Sequence, residues 1–457
     1  MATTIGERVP PGPHGNVVLG STGDIYRDRL SFVLDVAGTY GEVARYRVAH
    51  MRIYQVSSPA GVGRLLHDNH RNYSKDVATF GTLRLILGNG LFTSEGDFWR
   101  HQRRLAQPAF HRRRVATFGE LMTGATLAML ERWRPRVAQG RPLDVATEFM
   151  RLTMEVATRA LFSTSVERDI DTIGQAITTL LNDVTFRFTF PFYPPLKVPT
   201  PRNRRFLAAR VALDDVVYGI ISGRRQSSAE HDDLLALLME ARDEESGEGM
   251  SDRQLRDEVI TLFVAGHETT ANALTWATYL LSTHVAVARR LRAEVDEALG
   301  GRTPTVADLP NLIYTRRVID ETMRLYPPVW IINRRAIEDD IVCGYRIPAD
   351  ATVSISPYVT QRDPTVWENP EGFDPDRFSP ERSAGRPHYA YLPFGGGPRQ
   401  CIGKGFALME ATLVLALMAQ RCELHLVPGR KVETEAMATL RPRYGMWMNA
   451  HPRSASR

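Results

Sequence analysis

A glycine-rich loop that ends in a cysteine is the segment whose residue types are best suited to chemistry. Residues 393–403 read PFGGGPRQCIG. Three successive glycines allow the backbone to approach a flat ligand closely. Cys401 stands just before a predicted helix, whose free N–H groups favour a thiolate, and Arg399 adds positive charge nearby. We therefore expect a lowered pKa for Cys401 and a thiolate that can bind iron.

Cys401 has two other interpretations besides iron binding. A free cysteine is most often a small buried hydrophobe, and Cys343 and Cys422 fit that description. The specific glycine-rich surroundings of Cys401 argue against it there. Zinc is disfavoured because no second Cys or His stands at ligand spacing. Three sparse cysteines also form no disulfide framework, which indicates a reducing compartment.

A second group of polar residues interrupts a long apolar helix. The helix is predicted from Ser251 to about Thr283, and Ser251 with Gln254 is a capping-box signature. Residues 265–270, in its middle, read AGHETT. Buried polar groups cost free energy unless they have partners or a use. Glu268 and Thr269 are therefore either catalytic, or the acid forms a structural pair and the hydroxyl bonds back to the preceding turn.

The elements that must position these residues are mostly helical. Residues 95–325 have a helical pattern, and residues 43–57 predict a hairpin with its turn near Ala49 and His50. Short strands are predicted at 341–347, 351–359 and around 424–448, and an apolar helix at about 402–421. No linker divides the chain. We predict a mainly α fold with small β-sheet regions and a single domain, 1–457, whose first 15 residues are a Pro-rich lead-in.

Composition and charge limit the class of protein. Hydrophobic residues make up 43% and charged residues 24%, which is ordinary globular composition. The formal net charge of +5 is compatible with an acidic protein partner but too small to argue for nucleic acid. No apolar run has the length of a signal peptide core or a membrane span. We expect a cytoplasmic protein with no membrane span and no nucleic-acid partner.

The cysteine loop resembles the haem-binding signature of the cytochromes P-450. The pattern Phe394-x-x-Gly397-x-Arg399-x-Cys401-x-Gly403 matches that signature at every fixed position. The resemblance implies the cytochrome P-450 fold, with haem b held between the long central helix and the cysteine loop. It implies that Cys401 is the iron ligand. A thiolate in that position favours cleavage of the O–O bond.

The same resemblance implies roles for residues elsewhere in the chain. The motif at 265–270 would lie over the oxygen-binding face of the haem, where the helix is expected to loosen. Thr269 would donate a hydrogen bond there, and Glu268 would help to relay protons. Glu321-x-x-Arg324, completed by Arg377, would be a buried structural triad. The residues expected to anchor the haem propionates are Trp99, Arg103, Arg334 (or its neighbour Arg335) and Arg399.

The function implied by the resemblance is oxygen insertion into a lipophilic small molecule, by hydroxylation or epoxidation. The chain contains no flavin, nicotinamide or iron–sulfur motif, so electrons should come from a separate ferredoxin or flavodoxin-type donor, docked on a basic face that includes 112–114. A monomer is expected. The two alternatives are a haem-binding sensor or carrier without turnover, and an enzyme of the same scaffold that rearranges its substrate without external electrons. Candidate pocket residues are Phe80, Leu83, Phe186, Phe188, Phe190, Phe192, Val264, Trp330, Ile331 and Met446.

Overall fold

The computed structural model describes residues 8–163, 170–189, 193–227, 231–243 and 247–453. Helices predominate and the sheets are small, so the predicted fold class is confirmed. The α-helices are α1 (Thr22–Arg27), α2 (Arg29–Tyr40), α3 (Pro59–Gly63), α4 (Ala78–Leu87), α5 (Gly96–Ala106), α6 (Arg112–Ala116), α7 (Gly119–Ala138), α8 (Val145–Phe162), α9 (Ile170–Thr189), α10 (Pro201–Gln226), α11 (Leu234–Glu240), α12 (Asp252–Thr283), α13 (Val285–Leu299), α14 (Ile313–Leu325), α15 (Pro357–Thr360), α16 (Pro380–Ser383) and α17 (Lys404–Arg421).

The strands form one five-stranded sheet, one three-stranded sheet and two isolated hairpins within the described ranges. They are β1 (Val43–Val48), β2 (Met51–Val56), β3 (Tyr73–Ser74), β4 (Leu143–Asp144), β5 (Ile332–Ala336), β6 (Asp340–Val342), β7 (Tyr345–Ile347), β8 (Thr352–Ile355), β9 (Cys422–Leu426), β10 (Thr434–Ala436), β11 (Leu440–Pro442) and β12 (Trp447–Pro452). The large sheet has the order β1-β2-β8-β5-β3, with only β2 and β8 parallel. Since β3 pairs with β5, segments that are more than 250 residues apart in sequence become neighbours.

The long helix α12 is the central element of the fold. The predicted capping box is confirmed, because the Ser251 hydroxyl accepts from the Gln254 N–H and the Gln254 side chain accepts from the Ser251 N–H. At 1.5 Å per residue its 32 residues span about 48 Å. Helix α8 packs along it, and α4, α10, α14 and α17 contact it as well. Such a helix can carry side chains from one side of the molecule to the other on a rigid frame.

A buried ion cluster joins α14 to the loop that precedes α16. The carboxylate of Glu321 accepts two hydrogen bonds from Arg324, at 2.7 and 2.8 Å, and one from Arg377 at 3.2 Å. Both arginines also donate to backbone carbonyl groups of residues 361–372. The predicted triad is therefore assembled as a structural device. A buried charge set of this kind requires such complete pairing.

The described residues form three hydrophobic clusters in the interior. The largest lies among the helices around α12, the second lies under the five-stranded sheet, and the third lies between α2, the β1–β2 hairpin and the β10–β11 hairpin. In the described part of the chain, none of the helices has the length and apolar character that crossing a bilayer requires.

Candidate functional site

The cysteine loop is held in shape by backbone contacts. The N–H of Cys401 donates to the carbonyl of Phe394 at 3.0 Å, which closes the loop. Gly395 and Gly397 both have positive φ, 67° and 63°. A side chain at Gly397 would place its Cβ only 1.7 Å from the carbonyl oxygen of Leu66, whereas a Cβ at Gly395 would meet nothing within 4 Å. Of these two glycines, Gly397 packs against protein, and Gly395 alone leaves open space for a ligand.

The thiol of Cys401 is the reactive group of this loop. It is accessible to solvent, yet surrounding protein desolvates it and raises its pKa above the ordinary value. The N–H groups of Gly403 and Lys404 and the charge of Arg103 act in the opposite direction. The expected lowering of this pKa is therefore wrong for the protein without a bound metal, because burial outweighs the helix N-terminus. A bound metal ion would itself deprotonate the thiol.

Trp99, Arg103 and Arg399 lie together beside the loop. The guanidinium of Arg399 stacks over the Trp99 ring, 3.8 Å from its centroid. It also donates to the carbonyl of Ser94 and to the carboxylate of Glu95, both at 2.9 Å. Arg103 donates to the carbonyl of Gln400 at 3.0 Å. These contacts tie α5 to the residues immediately before Cys401.

Arg334 is the buried member of the Arg334–Arg335 pair. It is 7% exposed, and the one hydrogen bond that its guanidinium makes to described residues is to the neighbouring Asn333 carbonyl. Burial lowers its pKa to about 10, partly offset by Glu95. Arg335 instead forms surface ion pairs with Asp76 and Asp350. The geometry therefore favours Arg334 as the residue that faces the interior.

Lys75 is a further buried cation that the sequence did not predict. Its ammonium donates to the Phe92 carbonyl at 2.7 Å and lies over the rings of Phe92 and Phe80. Burial and the nearby charges of Arg334 and Arg399 hold its pKa well below the ordinary value. A single lysine after a short strand carries no sequence signal. Only the pairing of β3 with β5 brings it beside Arg334.

The charges of this region are unbalanced in a way that fits an anionic cofactor. Lys75, Arg103, Arg334 and Arg399 interact electrostatically, and Glu95 is the carboxylate that lowers their mutual repulsion among the described residues. Burial and like charges lower the pKa of Arg399 to about 10. Unpaired buried cations are costly. Two carboxylates, such as haem propionates, would supply the missing negative charge beside an accessible thiol.

The central part of α12 has an exposed face. Ala265 is exposed in the middle of a helix that is otherwise largely buried, and Thr269, one turn later, is partly exposed. The Thr269 hydroxyl donates to the Ala265 carbonyl at 2.8 Å, and Glu268 accepts from the Thr439 hydroxyl at 2.6 Å. Both side chains thus form the contacts that their structural interpretation predicts: the Thr269 hydroxyl bonds back to the preceding turn, and the Glu268 carboxylate has a partner within the protein. The expected loosening is not found, since α12 is continuous here and Thr269 satisfies the Ala265 carbonyl.

The candidate pocket residues are only partly brought together. Phe80 contacts Phe92, which the sequence reasoning missed and whose side chain is 42% exposed beside Lys75. Trp330 and Met446 were wrongly assigned to a pocket wall. Trp330 is buried in the cluster around α2, and Met446 is fully buried in the main core. Of the remaining candidates, Leu83, Phe186, Val264 and Ile331 are partly buried, and the side chains of Phe188, Phe190 and Phe192 lie outside the described residues.

Comparison with known proteins gives a consistent result. The family model described as Cytochrome P-450 matches residues 10–447. The chain is 38% identical over 442 residues to cyclooctatin synthase from Streptomyces melanosporofaciens, covering 96% of this chain and 93% of the relative. It is also 38% identical to cyclooctat-9-en-7-ol 5-monooxygenase from the same organism, covering 90% and 88%. Pentalenene oxygenase from Streptomyces avermitilis is 34% identical, with 93% of each chain covered.

A solved structure agrees with this in three dimensions. The crystal structure of the cytochrome P450DA haem domain superposes with a TM-score of 0.89 at 27% sequence identity, and 98% of each chain is covered.

Proposed function

The chain belongs to the cytochrome P-450 family and is a monooxygenase, and on that premise we propose roles for its site residues. Cys401 binds the iron of haem b through its thiolate. Lys75, Arg103, Arg334 and Arg399 hold the propionates, with Trp99 packed under Arg399. The observation that carries this assignment is the accessible, protein-surrounded thiol beside four cations that share one nearby carboxylate, Glu95, among the described residues.

The reaction inserts one oxygen atom of dioxygen into the substrate and releases the other as water, with two electrons and two protons consumed. Bound haem supplies the iron that activates dioxygen. The protein supplies the protons. Glu268 exchanges protons with solvent-derived donors, and the hydroxyl of Thr269 holds a proton at the exposed face of α12. In the structure, the Thr269 hydroxyl donates to the Ala265 carbonyl, and the Glu268 carboxylate accepts from the Thr439 hydroxyl.

Two other functions are compatible with the same scaffold. A sensor or carrier without turnover needs the cysteine loop but has no use for Glu268 and Thr269. An enzyme that rearranges its substrate needs no electron donor. Relatives named as a monooxygenase and an oxygenase favour oxygen insertion over both.

The electron donor is proposed to be an acidic ferredoxin or flavodoxin-type protein. Arg112 and Arg113 are exposed on α6, which packs against α17, the helix that begins three residues after Cys401. Arg114 and Lys404 are exposed as well. These four residues, called the basic face below, lie on two helices that contact each other, and their positive charge suits an acidic partner. A monomeric state and a cytoplasmic location remain predictions.

The substrate is proposed to be a cyclic, largely hydrocarbon compound. Two relatives are named for the oxidation of cyclooctat-9-en-7-ol and of pentalenene. The exposed ring of Phe92 supplies an apolar contact of the kind that small-molecule pockets use.

Replacement of Cys401 by serine tests the assignment of the iron ligand. We expect Cys401→Ser to lose the long-wavelength absorption band of the reduced carbon monoxide complex, because that band requires a thiolate ligand. Cys343→Ser is the matched control and should keep both the band and the activity. A normal band in Cys401→Ser, or its loss in Cys343→Ser alone, would show that the ligand has been misassigned.

A further inference from the structure

The carboxylate of Glu268 is held by a residue from a distant part of the chain. Thr439 lies in the turn between β10 and β11, and its hydroxyl donates to Glu268 Oε1 at 2.6 Å. The side-chain amide of Asn272, one turn after Glu268 on α12, donates to the same Thr439 oxygen at 3.1 Å. Thr439 and Asn272 are both buried. The three side chains form a short chain of hydrogen bonds that ends on the acid.

The direction of this chain follows from the chemistry of its members. An ionised carboxylate only accepts hydrogen bonds, so the Thr439 hydroxyl must donate its single proton to Glu268. The oxygen of that hydroxyl then accepts, and the N–H of Asn272 is the donor that it needs. Asn272 therefore prevents the hydroxyl from turning away. Glu268 Oε2 makes no hydrogen bond to the described residues and is left to exchange a proton.

The position of Thr439 is itself fixed by several contacts to the turn. The indole of Trp276, on α12, donates to the Leu440 carbonyl at 3.1 Å, and the indole of Trp330 donates to the Met437 carbonyl at 2.8 Å. The N–H of Leu440 donates to the Pro328 carbonyl at 2.9 Å. Because hydrogen bonds hold both ends of this turn, the Thr439 hydroxyl is held in one position. A side chain held in this way loses little rotamer freedom when it binds the acid.

We propose that Thr439, oriented by Asn272, is a positioning residue that holds the Glu268 carboxylate in the geometry needed for proton delivery. This inference rests on the proposed role of Glu268. Without the hydroxyl, the Glu268 side chain samples other rotamers and the transfer of protons becomes slower. Electrons and dioxygen that are not used in time then leave with two protons as hydrogen peroxide.

Thr439→Val tests the proposal because valine keeps the shape of threonine and removes the hydroxyl. Oxygen consumption and hydrogen peroxide release are measured with ferredoxin and its reductase, first without organic substrate and then with pentalenene as the probe. We expect oxygen consumption to fall about three- to tenfold, a fraction of the effect of a complete general acid. The solvent deuterium isotope effect should increase, and so should the fraction of the consumed oxygen that is released as hydrogen peroxide in the presence of pentalenene. Thr439→Ser should restore all three values.

Two controls separate positioning from general damage. Thr275→Val removes another buried hydroxyl of α12, which only bonds back to the Ala271 carbonyl, and should change none of these values. The carbon monoxide band should be normal in every variant. Asn272→Ala, which leaves Thr439 in place, should give a smaller decrease in the same direction and serves if Thr439→Val does not bind haem.

Glu268→Gln distinguishes failure of this inference from failure of the proposed function. If Glu268→Gln slows oxygen consumption but Thr439→Val and Asn272→Ala do not, Thr439 has no positioning role. If Glu268→Gln behaves as the wild type, the proposed role of the acid is wrong. If all three variants are slow and Thr439→Val adds nothing to Glu268→Gln in the double variant, the hydroxyl acts through the acid.

Discussion

The cation cluster shows how single residues acquire a function from their surroundings. An exposed arginine carries its charge at little cost, but Lys75 and Arg334 are buried and have few partners of opposite charge. The charged form of each side chain is unfavourable in the folded protein until an anion binds beside it. Residues of this kind contribute to ligand affinity because the ligand removes an existing penalty, in addition to making new hydrogen bonds.

Arg334 and Arg335 offer a matched pair for measuring this effect. Arg334→Ala should weaken the retention of haem by about 10- to 100-fold, since a charged hydrogen bond is worth about 1.5–3 kcal/mol. Arg335→Ala should change it by less than about twofold, because this residue forms exposed ion pairs. The rate of haem transfer to apomyoglobin measures both. Equal rates of loss in the two variants would exclude the assignment of Arg334.

Glu258 predicts a pH dependence of stability. Burial raises its pKa from 4.5 to about 8, and the hydrogen bond from the Leu91 N–H only partly opposes this. The folded protein therefore binds this proton more tightly than the unfolded chain, so its contribution to stability falls as the pH rises from about 4.5 to about 8.

Glu258→Gln removes this titration and keeps an acceptor for Leu91. Its free energy of unfolding relative to the wild type should rise between pH 5 and pH 8, by at most about 1.4 kcal/mol per pH unit, and then level off. Thermal unfolding of the holoprotein across this range measures the difference. A difference that is constant with pH would show that Glu258 is ionised throughout.

The sequence predicted those site residues whose signal is local. Cys401 and Arg399 stand in one contiguous pattern, and Glu268 with Thr269 stand in another. Lys75 and Thr439 have no such pattern, because each reaches the site through a strand pairing or a turn contact with a distant segment. A lone lysine or threonine cannot be distinguished from a surface residue until that contact is known.

At the scale of elements, the cysteine loop depends on backbone shape more than on side chains. Gly397 must combine a positive φ with close contact to the turn at Arg64–Asp68, whereas Gly395 only needs the positive φ. The two glycines therefore tolerate substitution differently, although they are two residues apart.

Alanine substitutions separate these two requirements. Gly395→Ala should cost about 1–2 kcal/mol through backbone strain and still give a holoprotein. Gly397→Ala should cost about 3 kcal/mol or more and abolish haem binding, because its Cβ cannot move away from the Leu66 carbonyl without displacing the turn. Melting temperature and haem content measure both effects. A holo Gly397→Ala protein of wild-type stability would contradict the contact.

Elements with strong end signals were predicted well. The hairpin turn at Ala49 and the cap at Ser251 lie where the sequence indicates. The strand expected at 351–359 is shorter, since Pro357 begins the short helix α15. Proline cannot continue a central strand but is favoured in the first turn of a helix. Pro357 could have indicated where the strand ends, but the alternating pattern of apolar residues favoured a longer strand.

At the scale of the whole molecule, the basic face predicts how the electron donor binds. The double variant Arg112→Ala/Arg113→Ala should reduce the second-order rate of reduction by ferredoxin about tenfold at low salt and weaken its salt dependence. Arg45→Ala/Arg52→Ala makes the same change of charge on the exposed side of the β1–β2 hairpin and should have no effect. Stopped-flow reduction under carbon monoxide measures this rate. Equal effects of the two double variants would exclude a specific docking face.

The residues of the cation cluster are far apart in the sequence, so they are synthesised at different times. Lys75 and Arg103 leave the ribosome early, but Arg334, Arg399 and Cys401 follow only in the last third of the 457 residues. Until Cys401 has been synthesised, the cofactor lacks its proposed thiolate ligand. Capture of haem must therefore follow the synthesis of the cysteine loop, after Lys75 and Arg103 have already been made.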